Sequence, residues 1–151
     1  MNIGVYVPEV GLAEYGPHPR TFIQEVYCCI RMRLGQFAGE SEVWWSLPGN
    51  EATTQDIRAR FESDAFPFFA RCKDRDAVLQ ELTLGTGTLT PRISSAIILA
   101  HRGEFDTARE PLRKQIQSTT NAGHVEYVQQ IAERLNLGPI TPWDIKGAQV
   151  H

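Results

Sequence analysis

The stretch from Val26 to Gly35 constrains the fold of this chain more than any other. Read at a period of two, its even positions (Val26, Cys28, Ile30, Met32, Leu34) are all apolar, while Tyr27, Cys29, Arg31 and Arg33 alternate with them. Successive side chains of a strand point to opposite faces, so the pattern predicts a half-buried strand. One face joins a core; two arginines and a tyrosine stand on the other. Shorter runs of the same kind flank it. Ile3, Val5 and Val7 alternate with Asn2, Gly4 and Tyr6 and stop at Pro8, and Val43-Trp44-Trp45-Ser46-Leu47 stops at Pro48-Gly49-Asn50. Gly11 to Arg20, with two glycines and two prolines, reads as a loop. Three short extended segments fit an antiparallel sheet with one wet face.

After Asn50 the period changes. Thr53 or Thr54 is placed to cap a helix carrying Ile57, Phe61 and Ala65 on one stripe, and Phe66-Pro67-Phe68-Phe69 reads as its break. Asp74 is a candidate N-cap for a second helix with Ala77, Val78 and Leu82 on one side. Thr83 to Leu89, rich in glycine and threonine, reads as a subdomain boundary. From Thr90 the pattern is helical throughout. Thr90-Pro91 opens a helix with Ile93, Ala96, Ile97 and Ala100 on its apolar face and Gly103 at its end. Phe105, Ala108, Leu112 and Ile116 mark the next, which contains Pro111. Val125, Val128, Ile131, Ala132 and Leu135 mark a third, stopped by Gly138-Pro139. The resulting expectation is α+β: a small antiparallel sheet backed by helices in residues 1–84, a three-helix portion in 85–138 packed on it, and a tail from 139 to 151.

A chain of 151 residues buries enough surface to fold without a metal or disulfide. The net charge of -3 runs against the basic excess of a nucleic-acid binder. Three cysteines, two of them neighbours, suit free thiols in a reducing compartment. The longest apolar run, Ala96 to Ala100, is far too short to span a bilayer, and the N-terminus shows no signal-peptide pattern. The expected setting is cytoplasmic, with no nucleic-acid or membrane partner.

Gly4-Val5-Tyr6-Val7, Cys28 to Gly35, Trp44-Trp45 and Phe66-Pro67-Phe68-Phe69 together resemble the bacterial domain-of-unknown-function family 4304, over roughly residues 2–82. The resemblance implies an α+β fold and no assigned activity. Asn2, Gly4, Arg31, Arg33, Gly35, Trp44 and Trp45 carry over as motif positions. In that family the strand similar to Ile3–Val7 is preceded by a helix and further strands. This implies a strand without its usual neighbour and a homodimer paired along it. Ala96 to Leu112 is similar to one tetratricopeptide helical hairpin, and one such unit does not make a solenoid.

The chemistry-bearing candidates gather on the polar side of the sheet: Tyr6, Tyr27, Cys29, Arg31 and Arg33, with Trp44 or Trp45. Arginine among aromatic rings is the composition of interface hot spots. It also suits an anion pocket, because guanidinium forks grip carboxylates and phosphates. The plainer alternative is a covered face with the arginines paired to Glu25, Glu40 or Glu42. Cys28 reads as a small core hydrophobe, and Cys29 as a thiol that would need a base no histidine is spaced to supply. Gly85-Thr86-Gly87-Thr88 lacks the lysine of a phosphate loop, and no cysteine or histidine spacing suggests a metal. With no cofactor implied, the leading expectation is a non-catalytic protein-interaction protein, in its sharpest form toxin-neutralising (immunity or antitoxin-like). The alternative is an enzyme or small-molecule binder in which Arg31 and Arg33 hold an anionic ligand.

Overall fold

The computed structural model describes residues 2–17, 23–34, 44–45, 48–84 and 90–142. The chain is α+β, with a two-stranded antiparallel sheet, helices, and a helical C-terminal part. It divides into two compact units: Met1–Val7 with Arg20–Leu89, and Pro8–Pro19 with Thr90–His151.

In the first unit, strand β1 (Asn2–Val5) pairs with β2 (Ile30–Arg33), setting Asn2 opposite Arg33, Ile3 opposite Met32, Gly4 opposite Arg31 and Val5 opposite Ile30. Residues directly opposite share a face. Ile3 and Ile30, both buried, therefore mark the core face, and the other carries Asn2, Gly4, Arg31 and Arg33. The long strand expected from Val26 is shortened. Glu25–Tyr27 forms a 3-10 turn, and the chain becomes extended only at Ile30. The cause is a bend over β1. The Cys29 N–H donates to the Val5 carbonyl at 3.0 Å. A β-carbon on residue 4 would lie 2.7 Å from both Cβ and Sγ of Cys28, so only glycine admits Cys28 there. Strand alternation thus does not extend to Cys28 and Cys29. Cys29 is the buried one and Cys28 lies against Gly4, the reverse of the expected faces, and Val26 is exposed. Of the expected third strand, Val43, Ser46 and Leu47 lie outside the described residues; Trp44 and Trp45 are in irregular backbone.

Helix α2 (Glu51–Arg60) is capped by Asn50 and not by Thr53 or Thr54: Asn50 Oδ1 accepts the Thr53 N–H at 2.9 Å and the Thr53 hydroxyl at 3.1 Å. Thr53 occupies the third helical position, whose N–H a cap receives. Phe66-Pro67 does not break this helix. The turn Phe61–Ala65 widens to π geometry, the Phe66 N–H reaching the Phe61 carbonyl, and the chain resumes as α3 (Phe66–Arg71). Proline lacks an N–H and crowds the carbonyl four residues back; a wider turn just before it relieves both constraints. Phe68 is fully buried, whereas Phe66 and Phe69 are exposed. Helix α4 (Arg75–Leu84) starts where expected, Asp74 Oδ1 accepting the Ala77 N–H at 2.9 Å, and buries Val78 and Leu82.

The second unit opens with a correction. Residues 8–15, expected to end a strand and begin a loop, form helix α1 (Pro8–Tyr15), which packs against α5 (Pro91–His101) and α7 (Ala122–Arg134). Pro8 ends the strand and also starts the helix, because its fixed φ suits a first turn. Gly16, at φ 79°, closes it. Helix α5 buries every predicted position (Ile93, Ala96, Ile97, Ala100) and also Ser94 and Ile98. It packs against α6 (Phe105–Gln117), which buries Ala108, Leu112 and Ile116 and contains Pro111, as expected. Val128, Ile131 and Ala132 of α7 complete the apolar faces.

Two helices end alike. Gly103 (φ 80°) donates to the Ala100 carbonyl and Glu104 to Leu99; Asn136 (φ 55°) donates to Glu133 and Leu137 to Ala132. Both are Schellman caps. The left-handed residue that closes α7 is therefore Asn136, two residues before the expected Gly138.

Two outcomes follow from this core and these caps. Ile30→Asp buries an unpaired carboxylate and should abolish the unfolding transition, against a total stability of about 5–15 kcal/mol. At the left-handed cap, Asn136→Val should lower stability by about 1–3 kcal/mol in urea unfolding, while Asn136→Gly leaves it equal or higher.

Candidate interaction surface

Strand β2 places Arg31 and Arg33 two residues apart, hence on one face, opposite Gly4 and Asn2. The Arg33 guanidinium lies 5.0 Å from the ring centroid of Trp44, a cation–π distance, and Trp44 remains 74% exposed. Arg31 is half-buried and makes no hydrogen bond or ion pair among the described residues. Glu40, Glu42 and the Glu25 side chain, which would pair the arginines on the plainer account, lie outside what is described.

The two tryptophans have different roles. Trp45 donates its indole N–H to Asp56 Oδ2 at 2.7 Å, and Asp56 Oδ1 pairs with Arg60 Nε at 3.4 Å. Trp45 is thereby anchored on α2, and Trp44 faces outward. The sequence places one of the two on the face and leaves open which, and nothing in the spacing of residues 45 and 56 marks the contact with Asp56.

The remaining candidates do not join this pair on the strand. Tyr6 follows β1 and Tyr27 ends the 3-10 turn, both half-buried. Cys29 is a correction. It is 7% exposed, its thiol donates to the Val5 carbonyl at 3.3 Å, and burial, helped by neighbouring Cys28, pushes its pKa up to about 12. Such a thiol is neither a nucleophile nor a contact residue. Burial, then Glu81 nearby, also raises the pKa of the Cys72 thiol. All three cysteines are free. Among the described residues no group of three or more His, Cys, Asp or Glu side chains could hold a metal ion, and no helix is long and apolar enough to cross a membrane.

Two open recesses are formed by the second unit. One of about 560 Å³ is lined by Gln129, Glu133, Asn136, Gly138 and Pro139. Another of about 250 Å³ lies among Ala100, His101, Phe105, Arg134, Leu135 and Asn136.

The first unit thus presents a two-stranded sheet with an arginine–tryptophan pair beside a long, π-widened helix. The chain matches the family model of a domain of unknown function (DUF4304) over residues 1–71, which run from β1 through α3 and include α1 of the second unit. The match supports the family resemblance expected over roughly residues 2–82; it covers residues 1–71, just under half of the chain. No curated protein and no solved structure matches the chain.

The division of labour between the tryptophans is testable by urea unfolding. Trp45→Phe deprives Asp56 of a donor and should cost about 1.5–3 kcal/mol. Trp44→Ala, removing an exposed ring, should stay within about 1 kcal/mol.

Proposed function

We propose that this chain is a non-catalytic protein-interaction protein whose β2 face, through Arg31, Arg33 and Trp44, receives an acidic segment of a partner. The observation that carries this reading is the state of those side chains. Arg31 has no partner among the described residues, and Arg33 lies against a tryptophan that is three-quarters exposed. Arginine and tryptophan dominate binding energy at protein interfaces because each joins a large contact area to a polar handle. The face is cationic, so its complement is acidic. Toxin neutralisation is the sharpest form of the reading, with the acidic segment on the toxin. The second reading, an anionic small molecule held by the guanidinium forks, calls for a recess that buries most of the ligand, and the exposure of Trp44 favours a flat contact.

The test is capture of a partner from source-cell extract, followed by affinity measurement with the wild-type chain, Arg31→Glu/Arg33→Glu and Trp44→Ala. Charge reversal should weaken binding by at least about 30-fold, the scale of a hot spot, and rising salt should weaken the wild type. Melting temperatures should stay within a few degrees. A partner indifferent to all three substitutions overturns the reading. A nucleotide or polycarboxylate that stabilises the wild type and not the double variant supports the second reading instead.

A further inference from the structure

The backbone bonds between β1 and β2 determine which polar groups point out of the sheet. The Cys29 N–H donates to the Val5 carbonyl at 3.0 Å, and a β-carbon on Gly4 would meet the Ile30 carbonyl oxygen at 3.1 Å. Val5 and Ile30 thus turn their backbone groups toward each other. In an antiparallel ladder such bonded pairs alternate with pairs whose groups point away. Val5–Ile30 and Ile3–Met32 are then the bonded pairs, and Gly4–Arg31 and Asn2–Arg33 the open ones. The N–H and C=O of Arg31 and Arg33 therefore project along the edge of β2 that β1 does not cover. Among the described residues no other strand pairs with that edge, and the Arg31 groups have no hydrogen-bond partner.

We propose that the acidic partner segment binds as a third strand on this edge of β2, with carboxylates at every second position set beside Arg31 and Arg33. The inference rests on the partner reading above and adds to it the backbone form and the sequence period of the segment. An unpaired edge is a template for an extended chain; main-chain bonds give affinity and alternate side chains give specificity. Arg31 and Arg33 are two residues apart, so both side chains stand on one face of the sheet. A strand laid along β2 sets its own residues i and i+2 next to them on that face, where opposite charges attract. The residue between them turns to the core face, where an apolar side chain fits beside Met32, the neighbour of buried Ile3. The expected occupant is thus an extended acidic–apolar–acidic segment.

Other occupants fit this edge less well. A helix offers no free main-chain groups to the edge, and its neighbours on one face are three and four residues apart. A second copy of β2 would set arginines against arginines. The outer edge of β1, with Asn2 and Gly4, has no charge to select an acidic strand.

Two capped peptides of equal composition test this on the full chain, one with glutamate alternating with valine and one with the two residues in separate blocks. The alternating peptide should bind at least about tenfold tighter than the block peptide. Methylating its amide nitrogens, once on the glutamates and once on the valines, should abolish binding for the set that faces β2 and spare the other. By NMR hydrogen exchange, the Arg31 amide should exchange freely in the unbound chain and become protected on binding, while the Met32 amide is slow in both states. Arg31→Glu should weaken the alternating peptide at least about tenfold with the melting temperature unchanged. Alternating and block peptides that bind alike, both weakened by Arg31→Glu, overturn the added strand and leave the acidic-partner reading standing. Binding that ignores Arg31→Glu overturns both. A chain that binds neither peptide, or whose Arg31 amide is protected without one, as a dimer through β2 would show, overturns the added strand. The captured partner's response to charge reversal then decides the broader reading alone.

Discussion

The packing of α1 against α5 and α7 is what places residues 8–15 in the second unit. Residues Pro8–Pro19 belong with Thr90–His151, while both strands belong with the other unit. The chain therefore leaves the sheet unit at Val7, enters the helical unit at Pro8 and comes back at Arg20. That hand-over requires a helix that starts at once and is covered on one side. Pro8 supplies the start, and Val10 and Gly11 supply the covered side. Burying Val10 contributes about 1.5–3 kcal/mol. A helix of eight residues is far below the length that stands alone in water, so α1 exists because α5 and α7 cover it.

This dependence explains why α1 was illegible in the sequence while α5, α6 and α7 were plain. The later helices carry their apolar residues at helical spacing over three turns, and Ile93, Ala96, Ile97, Ala108, Leu112, Val128 and Ile131 fell where the period put them. α1 has two buried positions, and Pro8 signals a strand end as readily as a helix start. The same ambiguity runs through the other departures. Val26 to Leu34 alternates without a break, but the Cys28–Gly4 contact bends the chain before Ile30. Pro67 reads as a helix stop unless a π turn precedes it. Asn136 enters the left-handed region before Gly138 can. Each is a tertiary or backbone choice between two outcomes that the local residues permit equally.

The candidate surface was half legible for a related reason. That Arg31 and Arg33 share a face follows from a period of two and survives the shortening of the strand. That Arg33 meets Trp44 and Trp45 meets Asp56 depends on how residues far apart in the chain are folded together. The bend that shortens β2 also removes Cys29 from the surface, since it turns the thiol toward the Val5 carbonyl.

The use of cations elsewhere gives Arg31 its meaning. In the helical unit, Arg109 donates to the Leu137 and Pro139 carbonyls, Arg92 to the Lys114 carbonyl and the Ser118 hydroxyl, and Arg134 to Ala13. Gln129 donates to and accepts from the Ile140 backbone, and Gln117 reaches Pro142. These side chains donate to carbonyls at helix ends and in the segment after α7. In the sheet unit, Arg58, Arg60 and Arg71 are paired with Glu62, Asp56 and Glu81. Removing Arg109 or Arg134 takes a side-chain donor from a backbone carbonyl, whereas removing Arg31 takes none from any described residue. Arg31 makes no hydrogen bond or ion pair among the described residues and lies two residues from Arg33, whose guanidinium sits over the exposed Trp44 ring. The acidic partner segment proposed above would meet both guanidinium groups on that face.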